Sequence, residues 1–153
     1  RKKYNLLIGE RSAEELKIRA GTACPPATAQ KTMEVRGRDT LTGLPRSVNI
    51  TSGDIYQAIL EPLEAVIGAV KEVLEQTPPE LASDIAERGI VLTGGGALLH
   101  GIDLALSEEV GVPVHVAEDP LSCVAVGTGR ALGMLHILKA LNANNKKRLK
   151  TGL

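Results

Sequence analysis

The sequence predicts an α/β protein in which parallel strands are joined by helical crossovers and preceded by a small α+β unit. Three observations carry this prediction. The second half alternates helical and strand-like segments, which is the pattern of a parallel sheet with crossovers. A short apolar run over 90–93 ends in a triple glycine and leads into a helical segment. In the first half, residues 32–38 and 45–51 alternate with period two, which favours an antiparallel hairpin.

The composition excludes nucleic-acid binding as the main function. The 153 residues carry 18 basic and 18 acidic side chains, so the formal net charge is zero, whereas nucleic-acid binders usually have a basic excess. Two tyrosines, with no Phe or Trp, are too few to stack bases. We therefore expect no nucleic-acid partner and an aliphatic core.

The cysteines and the hydropathy pattern favour a cytoplasmic protein. Cys24 and Cys123 are too few for a disulfide framework and are expected to be buried free thiols in a reducing cytosol. The longest weakly polar run, 89–102, is too short and too rich in glycine to span a bilayer. The sequence begins with Arg1 rather than Met, which suggests a piece of a longer chain.

In the first half, the apolar run 4–9 is either a strand or the last turn of a helix. Ser12 and Glu15 have capping-box spacing, so a helix is predicted to begin there and to end near Gly21. The hairpin follows, and two strands alone are marginal, so it must pack on helices.

A long amphipathic helix is predicted after the hairpin. Thr51 and Asp54 form a second possible capping box at its start. Pro62 lies inside the apolar periodicity, and because proline removes a backbone donor and crowds the preceding turn, we expect a kink or a break there.

In the second half, Thr77 is predicted to cap a helix that has Pro78 at its first position and Glu80 at its third, and that stops at Gly89. The strand at 90–93 should be buried on both faces. The remaining predicted elements are a helix over 97–110 broken near Gly101, a strand over 112–117, a helix opened by Asp119 and Pro120 that reaches about Leu132, a last helix over 134–141 and a polar, basic tail.

The triple glycine Gly94–Gly96 is the strongest candidate site. Glycine at the carboxyl end of a parallel strand lets a ligand touch the main chain, and the helix that follows offers free N–H groups suited to phosphate. A tight turn without a ligand is the alternative. Because each glycine costs about 1 kcal/mol of backbone entropy relative to alanine, three in a row favour a ligand.

Glu14 and Lys17 are a second candidate, since they share one helical face at i, i+3. A carboxylate can accept a hydrogen bond from a ribose hydroxyl, and a lysine stem can lie against a base. A solvated ion pair worth at most about 0.5 kcal/mol is the alternative, and taken alone these residues favour it.

Three other patterns are weaker evidence for a functional site. Residues 127–133 read G-x-G-x-x-x-G, but a dinucleotide loop needs a strand before it and an acidic residue about 20 positions later, so a helix whose glycines permit close packing is favoured. The three histidines have no metal-ligand spacing, and neither cysteine is near them, so we expect neither a metal site nor Cys-His catalysis. The basic cluster in 146–150 is a solvated tail or, alternatively, is attracted weakly to anionic lipid.

Residues 77–99, TPPELASDIAERGIVLTGGGALL, resemble a stretch of the MreB family, the bacterial actins that set rod shape. Residues 7–10 (LIGE) and 12–17 (SAEELK) are similar to the nucleotide-contacting helix of that family. The segments 35–38 (VRGR), 43–46 (GLPR) and 118–121 (EDPL) complete the likeness, which covers nearly the whole chain and is most specific around the triple glycine.

The resemblance implies half of an actin-like, ribonuclease H-like ATPase fold, namely the carboxy-terminal half or lobe II. Residues 1–77 would be its small outer subdomain, and residues 78–153 its large inner subdomain with the adenosine turn and a polar tail. It also implies that ATP binds with its adenosine between the short helix and the glycine turn. The residues implied as contacts are Glu14, Glu15, Leu16, Lys17, Gly94, Gly95, Gly96 and Ala97.

The resemblance further implies a cytoskeletal function. The protein would polymerise with ATP into filaments at the inner face of the cell membrane and direct cell-wall elongation and rod shape. Its partners would be further copies, membrane-associated cell-shape and cell-wall elongation proteins, and the membrane surface through segments outside this sequence.

In that family the phosphate loops and the carboxylates that orient Mg²⁺ and water lie in the amino-terminal half, so we expect no catalytic residue and no ATPase activity in this chain alone. The alternatives are another actin-fold ATPase, such as a chaperone or sugar kinase, and a dinucleotide-dependent enzyme.

Overall fold

The computed structural model describes residues 1–25, 31–135 and 139, and its strands form two sheets that are separated along the chain by two consecutive helices. An antiparallel sheet has the order β1-β2-β3, and a parallel sheet pairs β4 with β5. The predicted fold class, with a hairpin and parallel strands, is confirmed. The elements in chain order are β1 (Leu6–Leu7), α1 (Glu10–Ala20), β2 (Thr32–Asp39), β3 (Pro45–Thr51), α2 (Ser52–Glu75), α3 (Pro79–Arg88), β4 (Ile90–Leu92), a 3₁₀ helix (Gly95–Leu98), α4 (Ile102–Val110), β5 (Val114–Val116) and α5 (Cys123–Gly133).

The hairpin is confirmed and gains a third strand. β2 pairs with β3 from Thr32 opposite Thr51 to Arg38 opposite Pro45, while Leu6 of β1 lies opposite Asp39. Of the two alternatives for the run 4–9, the strand is confirmed, but its pairing with the hairpin was not predicted, because a two-residue strand is too short to show period-two alternation. Side chains from this sheet, α1 and α2 form one buried cluster: Leu6, Leu16, Ala20, Val35 and Ile55.

Helix α1 begins two residues before the predicted cap. Gly9 is its N-cap without a side-chain hydrogen bond, and Ser12 lies inside the first turn, so the capping-box prediction at Ser12 and Glu15 is wrong. The acidic side chain of Glu10 complements the positive end of the helix dipole instead. The predicted end is confirmed, because the Gly21 N–H donates to the Lys17 carbonyl at 2.9 Å.

The capping box of α2 is confirmed. The Asp54 N–H donates to Thr51 Oγ1 at 3.2 Å, and the Thr51 N–H donates to Asp54 Oδ2 at 2.8 Å. The helix then continues through Pro62 to Glu75, so the predicted break is wrong, and the alternative of a kink stays a prediction. Burial of Ile55 before the proline and of Leu63 after it holds both halves of the helix against the protein.

Acid is expected to destabilise the fold through Asp54. Lys3 and then Thr51 donate hydrogen bonds to this carboxylate and hold its pKa well below the usual range, while Tyr4 donates to it at 2.9 Å. Because the folded pKa is the lower one, the stabilisation is complete above the unfolded pKa near 4 and is lost as pH falls below it.

We therefore expect Asp54→Asn to cost about 1–3 kcal/mol at pH 7. The difference in thermal midpoint between the two proteins should shrink on titration from pH 5 to pH 2. A constant difference over this range would contradict the assignment.

Helix α3 begins at Pro79, one residue later than predicted, and its N-cap is Pro78. The Thr77 hydroxyl instead donates to the Val73 carbonyl at 2.7 Å, at the end of α2, so the predicted Thr77 cap is wrong. Gly89 ends the helix at φ +76°, and left-handed Gly101 separates the 3₁₀ helix from α4, as expected.

Two other expectations in the second half are corrected. Helix α5 begins at Cys123 rather than at Asp119 and Pro120, because the Pro120 carbonyl accepts a hydrogen bond from Gly94 at 2.7 Å and is held at the glycine turn. Strand β4 is not buried on both faces, since Val91 is 62% exposed. In the described part of the chain its strand partner is β5 alone.

The predicted helix over 134–141 lies mostly, and the basic tail wholly, outside the described residues. None of the described helices has the length and apolar character needed to cross a bilayer.

Candidate functional site

The glycine turn lies at the carboxyl ends of the two parallel strands. The Ala117 N–H after β5 donates to the Leu92 carbonyl of β4 at 3.0 Å, and the Gly94 N–H donates to the Pro120 carbonyl at 2.7 Å. Gly94 has φ +82° and ψ 176°, a conformation open essentially to glycine alone. The turn therefore has a defined shape at the edge where parallel sheets bind ligands.

The surface above this turn is open. A Cβ atom at Gly94 or Gly96 would meet no atom within 4 Å, and one at Gly95 would lie 3.6 Å from Leu121. The first N–H groups of a 3₁₀ helix have no partner inside the helix, and in the described part of the chain the Gly95 and Gly96 amides donate to no protein acceptor. Ala97 is buried and anchors the turn from below. Main-chain donors are thus presented to solvent without a side chain in front of them.

Helix α1 divides its four predicted contact residues between different faces. At 100° per residue, Glu14 and Lys17 lie on one side and Glu15 on the other, and all three are exposed. Glu15 pairs with Arg19 at 2.7 Å. Leu16 is 9% exposed and belongs to the core, so only its main chain is available to a ligand.

A short bridge, which the sequence did not reveal, joins the chain just after α1 to the segment just after the 3₁₀ helix. Thr22 pairs with His100 as an isolated parallel bridge, and the Ala23 N–H donates to the His100 carbonyl at 2.8 Å. A Cβ atom at Gly21 would lie 3.2 Å from the Leu99 side chain. The last turn of α1 therefore lies beside the end of the 3₁₀ helix that begins in the triple glycine. One paired residue leaves no periodic signal, so the sequence did not predict this contact.

Cys24 adds a contact to the same junction, because its thiol donates to the Gly101 carbonyl at 3.3 Å. Burial raises the pKa of this thiol, and Asp103 and Glu108 raise it further, so it remains a protonated donor. Cys24 and Cys123 are both free thiols, as predicted, but both are partly exposed rather than buried.

The G-x-G-x-x-x-G segment is not a dinucleotide loop. Residues 127–133 lie entirely within α5 and do not follow a strand, so the helical prediction is confirmed. The expected close packing is not found in the described part of the chain, where a Cβ atom at Gly127, Gly129 or Gly133 would meet nothing within 4 Å. The described residues also contain no group of three His, Cys, Asp or Glu side chains placed to hold a metal ion. His136 lies outside these residues.

The chain is similar to known proteins along most of its length. The family model of MreB/Mbl proteins matches residues 1–140. The cell shape-determining protein Mbl of Bacillus cereus is 55% identical over 129 residues, covering 84% of this chain and 38% of the relative. The cell shape-determining protein MreB of Escherichia coli is 53% identical over 137 residues, covering 90% and 39%. The chain thus spans about two fifths of the length of these curated relatives.

Two solved structures agree with this similarity. The crystal structure of MreB 5 of Spiroplasma citri bound to AMPPNP superposes with a TM-score of 0.83 at 35% identity, covering 100% of this chain and 43% of that chain. The crystal structure of MreB5 of the same organism bound to ADP superposes with a TM-score of 0.83 at 36% identity, covering 88% and 41%.

Proposed function

Because this chain belongs to the MreB/Mbl family, whose relatives are cell shape-determining proteins, we propose that it forms the adenosine-binding part of an actin-like ATPase that polymerises into filaments. Its fold is part of the actin-like fold of that family. The observation that carries the proposal is the bridge between Thr22 and His100. In this proposal the face of α1 with Glu14 and Lys17 and the open glycine turn border one nucleotide site, and the bridge supports it because it joins the chain just after these two elements.

The residues of this site have chemistry suited to a nucleoside. The Glu14 carboxylate accepts hydrogen bonds from the ribose hydroxyls, and the aliphatic stem of Lys17 lies along the base. The Gly95 and Gly96 amides let the nucleoside approach the main chain. ATP supplies the phosphoanhydride bond that is hydrolysed. In this proposal the groups that act on the phosphates and on Mg²⁺ belong to the part of the family fold that the chain does not span.

The proposal extends to the whole protein. Residues 1–77 form the outer subdomain and residues 78–153 the inner subdomain of one lobe, and closure on ATP favours assembly. The filaments lie in the cytoplasm along the inner face of the membrane, where they guide the proteins of cell-wall elongation. Support comes from the cell shape-determining relatives and from the two MreB structures solved with nucleotides.

The decisive experiment compares two adjacent glutamates that point in directions about 100° apart on α1. In the complete protein, Glu14→Gln should weaken the binding of a fluorescent ATP analogue about tenfold, since one charge-assisted hydrogen bond contributes about 1.5 kcal/mol. Glu15→Gln is the matched control and should change the affinity less than about twofold.

Sedimentation of the unmodified protein with and without ATP tests the second part of the proposal. A protein that neither binds ATP nor sediments with it would refute the proposed function. Equal effects of the two glutamine variants would refute the assigned face of α1.

A further inference from the structure

Helix α4 is held to the first half of the chain at its start. The Ala23 N–H donates to the His100 carbonyl at 2.8 Å. The Cys24 thiol donates to the carbonyl of Gly101, the N-cap of α4, at 3.3 Å. The Cys24 N–H donates in turn to Thr22 Oγ1 at 3.2 Å, which fixes the turn that carries the thiol. We call this contact the α1–α4 clasp, and its residues are Gly21, Thr22, Ala23, Cys24, Leu99, His100 and Gly101.

The other end of α4 is held less firmly. There Lys71 of α2 pairs with Glu109 at 2.6 Å, but the two side chains are 43% and 51% exposed. Exposed ion pairs contribute little to stability, because water screens them. In the clasp, by contrast, Ala23 is buried and Cys24 is half-buried. The clasp is therefore the contact that fixes the start of α4 relative to the end of α1.

The two segments of the clasp pack without free space between them. A Cβ atom at Gly101 would lie 2.9 Å from Cys24 Sγ, and one at Gly21 would lie 3.2 Å from the Leu99 side chain. Closely packed segments transmit strain, because neither can move without displacing the other. A side chain added on one segment therefore shifts the other segment.

The glycine turn lies between the clasp and a second fixed point. At the start of the turn, the Gly94 N–H donates to the Pro120 carbonyl at 2.7 Å. The 3₁₀ helix that contains Gly95 and Gly96 then ends at Leu98, and the clasp begins with the next residue. Of these two fixed points, the Pro120 contact lies within the second half of the chain, whereas the clasp reaches the segment after α1. The clasp thus connects the position of the turn with that of α1.

We propose that the α1–α4 clasp is a positioning element of the nucleotide site, which sets the separation between the glycine turn and the face of α1 that carries Glu14 and Lys17. The inference rests on the proposed function, since it names residues that shape the proposed adenosine site without touching the ligand. Binding groups have to be held within about 0.5 Å of their productive positions. A disturbed clasp should therefore weaken the binding of the nucleoside, while the phosphates are bound by other parts of the complete protein.

The environment of Cys24 favours this role over that of a reactive thiol. Burial raises the pKa of the Cys24 thiol, and Asp103 and Glu108 raise it further. Because the thiolate is the form that reacts with oxidants and binds metals, a raised pKa disfavours both reactions. The protonated thiol keeps the hydrogen that it donates to the Gly101 carbonyl.

The test compares the glycines at the two ends of α4 in the complete protein. Gly101→Ala adds a Cβ that must push Cys24 aside, and it should weaken the binding of a fluorescent ATP analogue about tenfold. Gly111→Ala is the matched control, because Gly111 is also left-handed, at φ +71°, but a Cβ there would meet no atom within 4 Å. It should change the affinity less than about twofold.

Tripolyphosphate provides the readout that a loss of stability would not reproduce. It lacks the nucleoside, so its affinity, measured by competition with the ATP analogue in the presence of Mg²⁺, should be the same for wild type, Gly101→Ala and Gly111→Ala. A variant that is merely unstable would lose affinity for both ligands together.

Two substitutions of Cys24 test the clasp without a strained glycine, and they decide the matter if Gly101→Ala does not fold. Cys24→Ala removes the thiol donor and should weaken the binding of the ATP analogue about threefold. Cys24→Ser keeps a donor of similar size and should bind the analogue as wild type does. Both variants should bind tripolyphosphate normally.

The outcomes separate this inference from the proposed function. Wild-type protein that does not bind ATP would overturn the proposed function. If wild type binds ATP but Gly101→Ala and Gly111→Ala bind it equally well, or Cys24→Ala binds it as wild type does, the proposed function stands and the clasp has no positioning role. Parallel losses of affinity for ATP and tripolyphosphate would also overturn the inference, because the clasp would then act through overall stability.

Discussion

Replacing Gly89 with alanine is expected to lower the free energy of unfolding by about 3–4 kcal/mol, the largest loss of stability we predict. Gly89 has φ +76° and ψ −172°, a region in which a side chain is strained by about 1–3 kcal/mol. The added Cβ would also lie 2.5 Å from the Pro113 carbonyl oxygen. That oxygen accepts from the Ile90 N–H at 2.8 Å, at the start of the β4–β5 pair, so relief of the clash would disturb the parallel sheet.

Gly111→Ala is the matched control. Gly111 also ends a helix in the left-handed region, at φ +71°, but a Cβ there would meet no atom within 4 Å. We expect a cost of about 1 kcal/mol from the backbone conformation alone. Thermal unfolding should therefore show a fall of about 10 °C for Gly89→Ala and about 3 °C for Gly111→Ala. Equal shifts in the thermal midpoint of the two variants would mean that the contact with Pro113 does not contribute to the loss of stability.

Replacing Gly96 with valine should weaken ATP binding on the order of a hundredfold, equivalent to about 2.7 kcal/mol. No atom lies within 4 Å of the added Cβ. The fold can therefore accept the side chain, which would occupy the space in front of the free Gly95 and Gly96 amides. We expect the stability of the protein to change by less than about 1 kcal/mol.

Gly129→Val is the control for this substitution. It adds the same side chain to another open glycine, on α5, and should leave ATP affinity unchanged. Titration with a fluorescent ATP analogue measures both variants. If Gly96→Val retained full affinity for ATP, the glycine turn would not be part of the nucleotide site. If only Gly129→Val lost affinity, the nucleotide would bind at α5 instead.

Local patterns predicted the regular elements well. The capping box of Thr51 and Asp54, the glycine at the end of α3 and the period-two alternation of the hairpin each depend on residues close in sequence. Such signals fail where a distant group competes. Pro120 was expected to open a helix, but its carbonyl is held by Gly94. Thr77 was expected to cap α3, but its hydroxyl donates backwards into α2.

The amino-acid sequence by itself determined the fold class, most helix ends, the family and the residue types offered to a ligand, because each of these follows from short-range spacing or from a continuous motif. Only the tertiary structure decided that the chain after α1 meets the segment after the triple glycine, and that the Pro120 carbonyl is held at the glycine turn. The physical reason is that such contacts join residues tens of positions apart through single hydrogen bonds and packed side chains, which leave no periodic trace along the chain.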